Sequence, residues 1–205
     1  MAFRHPHDRL ATVEEYFAFE EVSATRHEFV RGRVHAMSGG TRRHSRITMN
    51  IGARFWAAAR GGPCRIHQGE VKLQTNDVIY YPDVMAACGA EPRDPLVEDA
   101  PSVVVEVLSP STERIDRGEK LPVYREIPGM AMYLIVEQDR RLVERYWRGA
   151  RGEWQHEVIA NSGRIDVPEP RLTLTLDEIY ERVELPTPEE WLRQLRLREE
   201  AAAYG

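Results

Sequence analysis

Apolar positions recur in two periods along this chain, and the change from one to the other marks out its elements. Ile47, Ile51, Phe55 and Ala58 are spaced as one buried stripe of a helix over about residues 41–60, which Gly61-Gly62-Pro63 ends. A shorter helix opens at the capping box Thr12-Val13-Glu14-Glu15 and runs to about Glu20. Between them, residues 26–30 and 33–37 read as a hairpin turning at Arg31-Gly32, and Ser38-Gly39-Gly40 breaks the second strand. Four strand-like runs follow, over 64–68, 70–75, 78–87 and 102–108, with an exposed Pro-, Asp- and Glu-rich loop over 89–101 before the last. Ser109-Pro110-Ser111-Thr112 starts another helical segment, with Pro110 suited to a first turn. Residues 130–137 and 141–148 predict a β-hairpin turning at 138–140, and 154–160 and 172–174 predict further outer strands. Thr187-Pro188-Glu189-Glu190 combines a capping box with a first-turn proline and opens a last helix that runs into Ala201.

This order predicts an α+β fold, an α/β/α sandwich with a mixed sheet flanked by helices. We expect one domain over residues 1–185 and a helical appendage over 186–205; no internal repeat is present. At 205 residues, 42% hydrophobic and 30% charged, the chain has the composition of a soluble globular protein with one well-buried core. No apolar run approaches a membrane span, and the N-terminus has no apolar stretch that would serve as a secretory signal. Cys64 and Cys88 stand apart without metal-ligand spacing. Reduced, buried cysteines and a cytoplasmic location are therefore expected. The net charge of −5 argues against constitutive non-specific nucleic-acid binding, which is driven by phosphate neutralisation. The arginines nonetheless crowd the first third of the chain, among them Arg42, Arg43 and Arg46. They form either a locally basic surface on an acidic body or a solvated helix face.

The chemistry lies in two apolar strands that each carry one carboxylate. Asp83 sits in Tyr80-Tyr81-Pro82-Asp83-Val84-Met85, and Glu106 in Ser102-Val103-Val104-Val105-Glu106-Val107-Leu108. A carboxylate among valines is costly to bury without a compensating charge. In a strand, alternate side chains share a face, so Glu106 points with Val104 and Leu108, and Asp83 with Tyr81 and Met85. If the strands are neighbours, the two carboxylates converge within reach of one ion. Two carboxylates, a backbone carbonyl and several waters suit Mg2+, which prefers octahedral oxygen ligation and keeps much of its hydration. Such an ion acts on phosphodiesters, and a nearby lysine supplies a fixed positive charge for the developing transition state.

Pro82-Asp83 followed by Glu106-Val107-Leu108 resembles the signature of the PD-(D/E)XK nucleases. More closely, the chain resembles the bacterial Uma-type family of restriction-endonuclease-like proteins. The matching stretches are Thr12 to Tyr16, His27 to Gly32, Tyr81 to Val84, Val104 to Thr112 and Asp116 to Lys120, within a likeness covering roughly residues 10–185. The resemblance implies a central mixed sheet between helices, cleavage of DNA with Mg2+ or Mn2+, and a homodimer. It makes Asp83 and Glu106 metal ligands, with the Val107 carbonyl as a third contact. It gives Glu28 a second ion or a metal-bound water, and moves the catalytic lysine to Lys120.

The chain departs from that pattern in three places. Leu108 occupies the lysine position of the strand. Pro122 follows Lys120 and interrupts helical hydrogen bonding, so the helix is expected to break near Gly118. Arg31-Gly32-Arg33 stands where relatives carry Asp-Gly-Glu. Each site residue also has a plainer reading: Asp83 as a polar strand end after Tyr80-Tyr81-Pro82, Lys120 as a surface partner of Asp116 four residues back, Glu28 as a partner of Arg31 or Arg33, and Glu106 as the partner of an arginine. Glu70-Val71-Lys72 fits the E-x-K string but precedes Pro82-Asp83, so it reads as a solvated pair on an outer strand. His44, at the start of its helix, is placed either toward the site or a phosphate or, as preferred, at the edge of the core; His5 and His7 are expected in a tail, and Trp191, Leu192 and Leu195 as a docking stripe. Two other functional readings remain open: a nuclease-fold protein with weak or no catalysis that serves as a nucleic-acid-binding or accessory module, and a structural protein whose buried carboxylates pair with arginines.

Overall fold

The computed structural model describes residues 12–37, 39–109 and 113–203; the expected histidine tail, the strand break at Ser38 and the helix start at Pro110 lie outside them. In chain order the elements are α1 (Val13–Glu21), β1 (His27–Val30), β2 (Arg33–Ala36), α2 (Arg42–Ala59), β3 (Arg65–His67), β4 (Lys72–Thr75), β5 (Val78–Tyr80), β6 (Val84–Ala87), β7 (Val97–Glu98) and β8 (Val103–Val107). Then come α3 (Glu113–Ile115), a π-helical turn (Asp116–Lys120), α4 (Leu121–Glu126), β9 (Met132–Val136), β10 (Leu142–Arg148), β11 (Trp154–Ala160), β12 (Arg164–Val167), β13 (Leu172–Thr175), α5 (Leu176–Ile179) and α6 (Pro188–Ala203). No helix among the described residues is long and apolar enough to cross a membrane.

The main strands form two mixed sheets, ordered β2-β1-β5-β4-β7 and β11-β10-β9-β8-β6-β3, beside a β12-β13 pair. The run expected as one strand over 78–87 is divided between the two sheets, β5 in the first and β6 in the second. Pro82 lies at the crossing, where its missing N–H interrupts the ladder. β8 and β9 pair in parallel, and the helical stretch from α3 to α4 is their crossover.

Alternation along β8 builds two cores. Val103, Val105 and Val107 pack with Ile47, Ile51 and Phe55 of α2. Val104 and Leu108 face the other way, toward Tyr80, Tyr124 and Tyr133. The second core is shared by both sheets and α4, while α1 covers the far side of the first sheet through Tyr16, Phe29 and Ile79. Glu106 lies on the Val104 side of β8, at the boundary where the two sheets meet.

The turn between β1 and β2 places Arg31 at φ 47° and Gly32 at φ 85°, the left-handed pair that a two-residue hairpin requires. Gly32→Ala is expected to cost about 1–2 kcal/mol in urea denaturation, since a Cβ disfavours that conformation. Because β1 carries Glu28, the same variant also loosens one wall of the site described below.

Cys64 and Cys88 are joined by a disulfide, which corrects the expectation of two reduced cysteines. Each lies one step beyond the Arg65–Ala87 pair of β3 and β6, so strand pairing sets them face to face across a sequence separation of 24. Nothing in their spacing reveals that pairing.

Candidate active site

A cleft of about 230 Å³ opens where β1, β6, β8, the π-helical turn and the first turn of α2 converge, and Glu28, His44, Asp83, Glu106, Asp116 and Lys120 line it. Strand register accounts for the two carboxylates that the sequence singles out. β6 and β8 are antiparallel with Val84 opposite Val105, so the same register continued one step outward brings Asp83 level with Glu106, and both line the cleft. Facing residues of an antiparallel pair project from the same side of the sheet. Asp83 Oδ2 accepts the Val107 N–H at 2.7 Å, which holds it against the end of β8.

Lys120 enters from the crossover. It is 3% exposed, and its Nζ lies 2.9 Å from Glu28 Oε1, 3.0 Å from Glu106 Oε1 and 3.1 Å from Asp116 Oδ1. The Asp116 contact is charge proximity without an aligned hydrogen bond, because that oxygen has no hydrogen-bond partner. The Tyr124 hydroxyl donates to Glu106 Oε1 at 2.7 Å, and Lys120 also sits over the Tyr80 ring, 5.0 Å from its centre. The break expected near Gly118 takes the form of the π-helical turn, a widened turn of a kind often found at functional sites. Pro122 then falls in the first turn of α4, where an absent N–H costs little. The backbone therefore absorbs the proline while the lysine is carried inward.

One ammonium thus faces three carboxylates, with Asp83 a fourth nearby. Burial pushes the Glu106 carboxyl well above the usual range. Lys120 opposes that rise, and the neighbouring Asp116, Asp83 and Glu28 add to it. Burial alone would lower the Lys120 ammonium, but Glu106, Glu28 and Asp116 outweigh it and hold the group well above its ordinary value.

His44 is not at the core edge, as its helical position suggested, but in the cleft. Its Nε2 lies 3.1 Å from Asp83 Oδ2, and the Val107 backbone is a further hydrogen-bonding partner. Thr41 caps α2 by accepting the His44 N–H at 3.1 Å, and its hydroxyl donates to Gln138, which in turn donates to the Leu108 carbonyl at 2.7 Å. The first turn of α2 is thereby tied to the end of β8. Burial lowers the His44 imidazole, but the bond to Asp83 and that carboxylate's charge prevail and raise it overall. A raised histidine contributes stability that is present below its ordinary value near 6.5 and is lost as pH rises through its folded value. Wild type should therefore lose melting temperature across that interval, and His44→Gln should flatten the loss in melts between pH 6 and 9.

The donor set agrees with a hard divalent cation. The Asp83 and Glu106 carboxylates offer oxygen only, and the local excess of negative charge suits a cation. Among the described residues no group of three or more His, Cys, Asp or Glu side chains is arranged to hold a metal ion. What is present is a pair of facing carboxylates, sufficient for an ion that keeps most of its waters.

Residues 13–187 match the Uma2 family, described as "Putative restriction endonuclease". The chain belongs to this family. Two uncharacterised proteins of Synechocystis sp. are similar to it: one is 34% identical over 82% of this chain and 90% of its own length, the other 28% identical over 71% and 85%. The fold is similar to the crystal structure of a "putative nuclease belonging to DUF820" from Anabaena variabilis, with a TM-score of 0.72, 17% identity, and coverage of 84% of this chain and 99% of that one. The fold is that of the restriction-endonuclease-like proteins.

The structure brings Glu28, Asp83, Glu106 and Lys120 together in one cleft. Val107, expected to contribute its carbonyl, is bonded to Asp83 through its N–H. No arginine pairs with Glu28, Asp83 or Glu106 among the described residues, so the arginine-paired reading of these carboxylates is corrected to a lysine-centred one. Glu70 is exposed and pairs with Arg26 at 3.0 Å, in the segment before β4. Sequence reasoning missed Tyr124 and preferred the core edge for His44; Asp116 is the expected partner of Lys120, but buried in the cleft rather than on the surface. Asp116 and Tyr124 flank Lys120 at four residues on either side, a helical spacing that pointed to both.

Proposed function

We propose that this protein is a metal-dependent endodeoxyribonuclease, with Asp83 and Glu106 as the residues that would hold Mg2+ or Mn2+ and Glu28 and Lys120 assisting. The observation that carries this reading is that Asp83 and Glu106 line one cleft, with the Lys120 ammonium 3.0 Å from Glu106. A divalent ion bound there would supply charge for the phosphodiester oxygens and lower the pKa of a bound water.

The chain's own residues have separable tasks. Lys120, held charged by its carboxylates, offsets negative charge that develops on the phosphoryl oxygens as water attacks. Glu28 and Asp116 fix the ammonium in place, and Tyr124 fixes Glu106 Oε1. His44 and the Val107 N–H both engage Asp83 Oδ2, which orients that carboxylate before substrate arrives. Leu108 and Pro122 favoured an inert accessory module on sequence grounds. The inward course of Lys120 supports the catalytic reading instead.

Wild-type protein with Mg2+ or Mn2+ is expected to melt at higher temperature and to nick supercoiled DNA. Supercoiled, linear and single-stranded DNA all left intact after long incubation with either metal would overturn the proposal.

A further inference from the structure

α2 carries Arg42, Arg43, Arg46 and Arg54 and no acidic residue, in a chain whose net charge is −5. Three of these arginines lie in its first turn and a half, the same stretch that delivers His44 to Asp83. On the other flank of this stretch is a second concavity, about 390 Å³, lined by Thr41, Arg42, Arg43, Arg46, Val183 and Glu184.

The cationic groups there are incompletely used. Arg42 is exposed and has no partner among the described residues. Arg46, also exposed, donates to the Arg182 carbonyl, an acceptor without charge. Arg43 pairs with Asp139 at 2.7 Å, but its buried Nε has no hydrogen-bond partner. Opposing charge is present at Glu184 in the lining and at Glu190, whose carboxyl Arg43 helps to lower. Neither forms an ion pair with Arg42 or Arg46 among the described residues.

We infer that this concavity is a phosphate-binding subsite for double-stranded DNA, with Arg42 and Arg46 contacting backbone phosphates next to the one placed at Asp83 and Glu106. The inference rests on the nuclease reading and adds to it the path of the substrate. His44 of the cleft lies between Arg42 and Arg46 of the concavity along the start of α2, so the two concavities are neighbours across that stretch of helix. Successive phosphates of a strand rise about 3.4 Å each, so a strand held in the cleft carries its neighbouring phosphates past these guanidiniums. Guanidinium forks suit phosphate oxygens through paired hydrogen bonds. The acidic body then limits binding elsewhere, and the basic turn concentrates it beside the reacting position.

The test is duplex DNA binding without divalent metal, titrated between 50 and 200 mM salt. It uses wild type, an Arg42→Ala/Arg46→Ala variant, and an Arg151→Ala/Arg164→Ala control that removes the same charge from exposed positions in the β10–β11 turn and on β12. Each lost phosphate contact lowers the salt slope by about 0.9. Over this range the wild type should therefore lose about 12-fold more affinity than the Arg42/Arg46 variant, and the control should match wild type. Arg42→Ala alone, which removes a side chain with no partner among the described residues, should lower the slope by about 0.9 even if the double variant fails to fold. An unchanged slope in the Arg42 and Arg46 variants, or an equal loss in the control, overturns the subsite while leaving the nuclease reading intact. A wild type that binds no duplex at 50 mM salt and cleaves none removes both.

Discussion

Lys120→Met is expected to lose about 3–5 kcal/mol of folding stability at pH 8, because it leaves a buried carboxylate cluster without its cation. Met nearly preserves volume, so the loss is electrostatic rather than a cavity effect. Glu106 then faces Asp116 and Glu28 while buried, with Tyr124 as its remaining donor among the described residues. The pH dependence follows from the raised Glu106 carboxyl. A group that holds its proton more tightly when folded contributes stability below its ordinary value, near 4.3, and that contribution is lost as pH rises through the folded value. Without the ammonium that restrains this rise, the variant should regain stability as pH falls from 8 toward 5, and wild type should gain less over the same interval. The raised Lys120 contribution is present in wild type throughout this range, since it is lost only above the ordinary lysine value. Urea denaturation at pH 5, 6.5 and 8 checks this; a Lys120→Met protein as stable as wild type at pH 8 would mean that the cluster is solvated or already protonated.

Asp83→Asn should reduce DNA cleavage by at least about 100-fold, the scale on which a single electrostatic contact to the reacting group acts. It should also abolish the rise in melting temperature expected of wild type with Mg2+ or Mn2+. The fold should survive, because Asn retains an oxygen to accept the Val107 N–H. A second consequence separates this variant from a general loss of folding. His44 owes its raised value to Asp83, so Asp83→Asn should return the imidazole toward its ordinary range, read by NMR titration of that ring. Glu106→Gln should lose cleavage and metal response as well but leave His44 titrating as in wild type. Metal stabilisation that persists undiminished in Asp83→Asn would place the ion elsewhere.

The two central carboxylates were legible because a strand has period two. Four valines around Glu106 made burial certain enough to ask what offsets its charge, and antiparallel pairing of β6 with β8 met the condition set for convergence. Glu28 and Lys120 were not legible from periodicity, since one lies on a different sheet and the other on a crossover; the family resemblance supplied them. The division of strands between two sheets was hidden for a related reason. Residues 78–87 are apolar apart from Asp83, and only the pairing partners distinguish β5 from β6 on either side of Pro82. His44 reads as a core-edge residue because it lies on the side of α2 that Ile47 and Ile51 share, and its place at the helix start, which also suits a site residue, does not decide between the two. β7 and β12 were passed over, the first being two residues long inside a polar loop. The disulfide depended on a pairing of β3 with β6 that no local pattern encodes.

Leu108 is 3% exposed and packs with Val104, Tyr124 and Tyr133 in the core that both sheets share. A lysine on the strand would have to meet two demands with one side chain: filling that core and presenting charge to Glu106. Here the demands fall on different segments, so the apolar packing at position 108 and the aim of the ammonium at position 120 can be altered independently. The same partition means that the missing strand lysine cannot simply be put back. Leu108→Lys would drive a second ammonium into apolar packing, beside carboxylates whose charge Lys120 already draws upon.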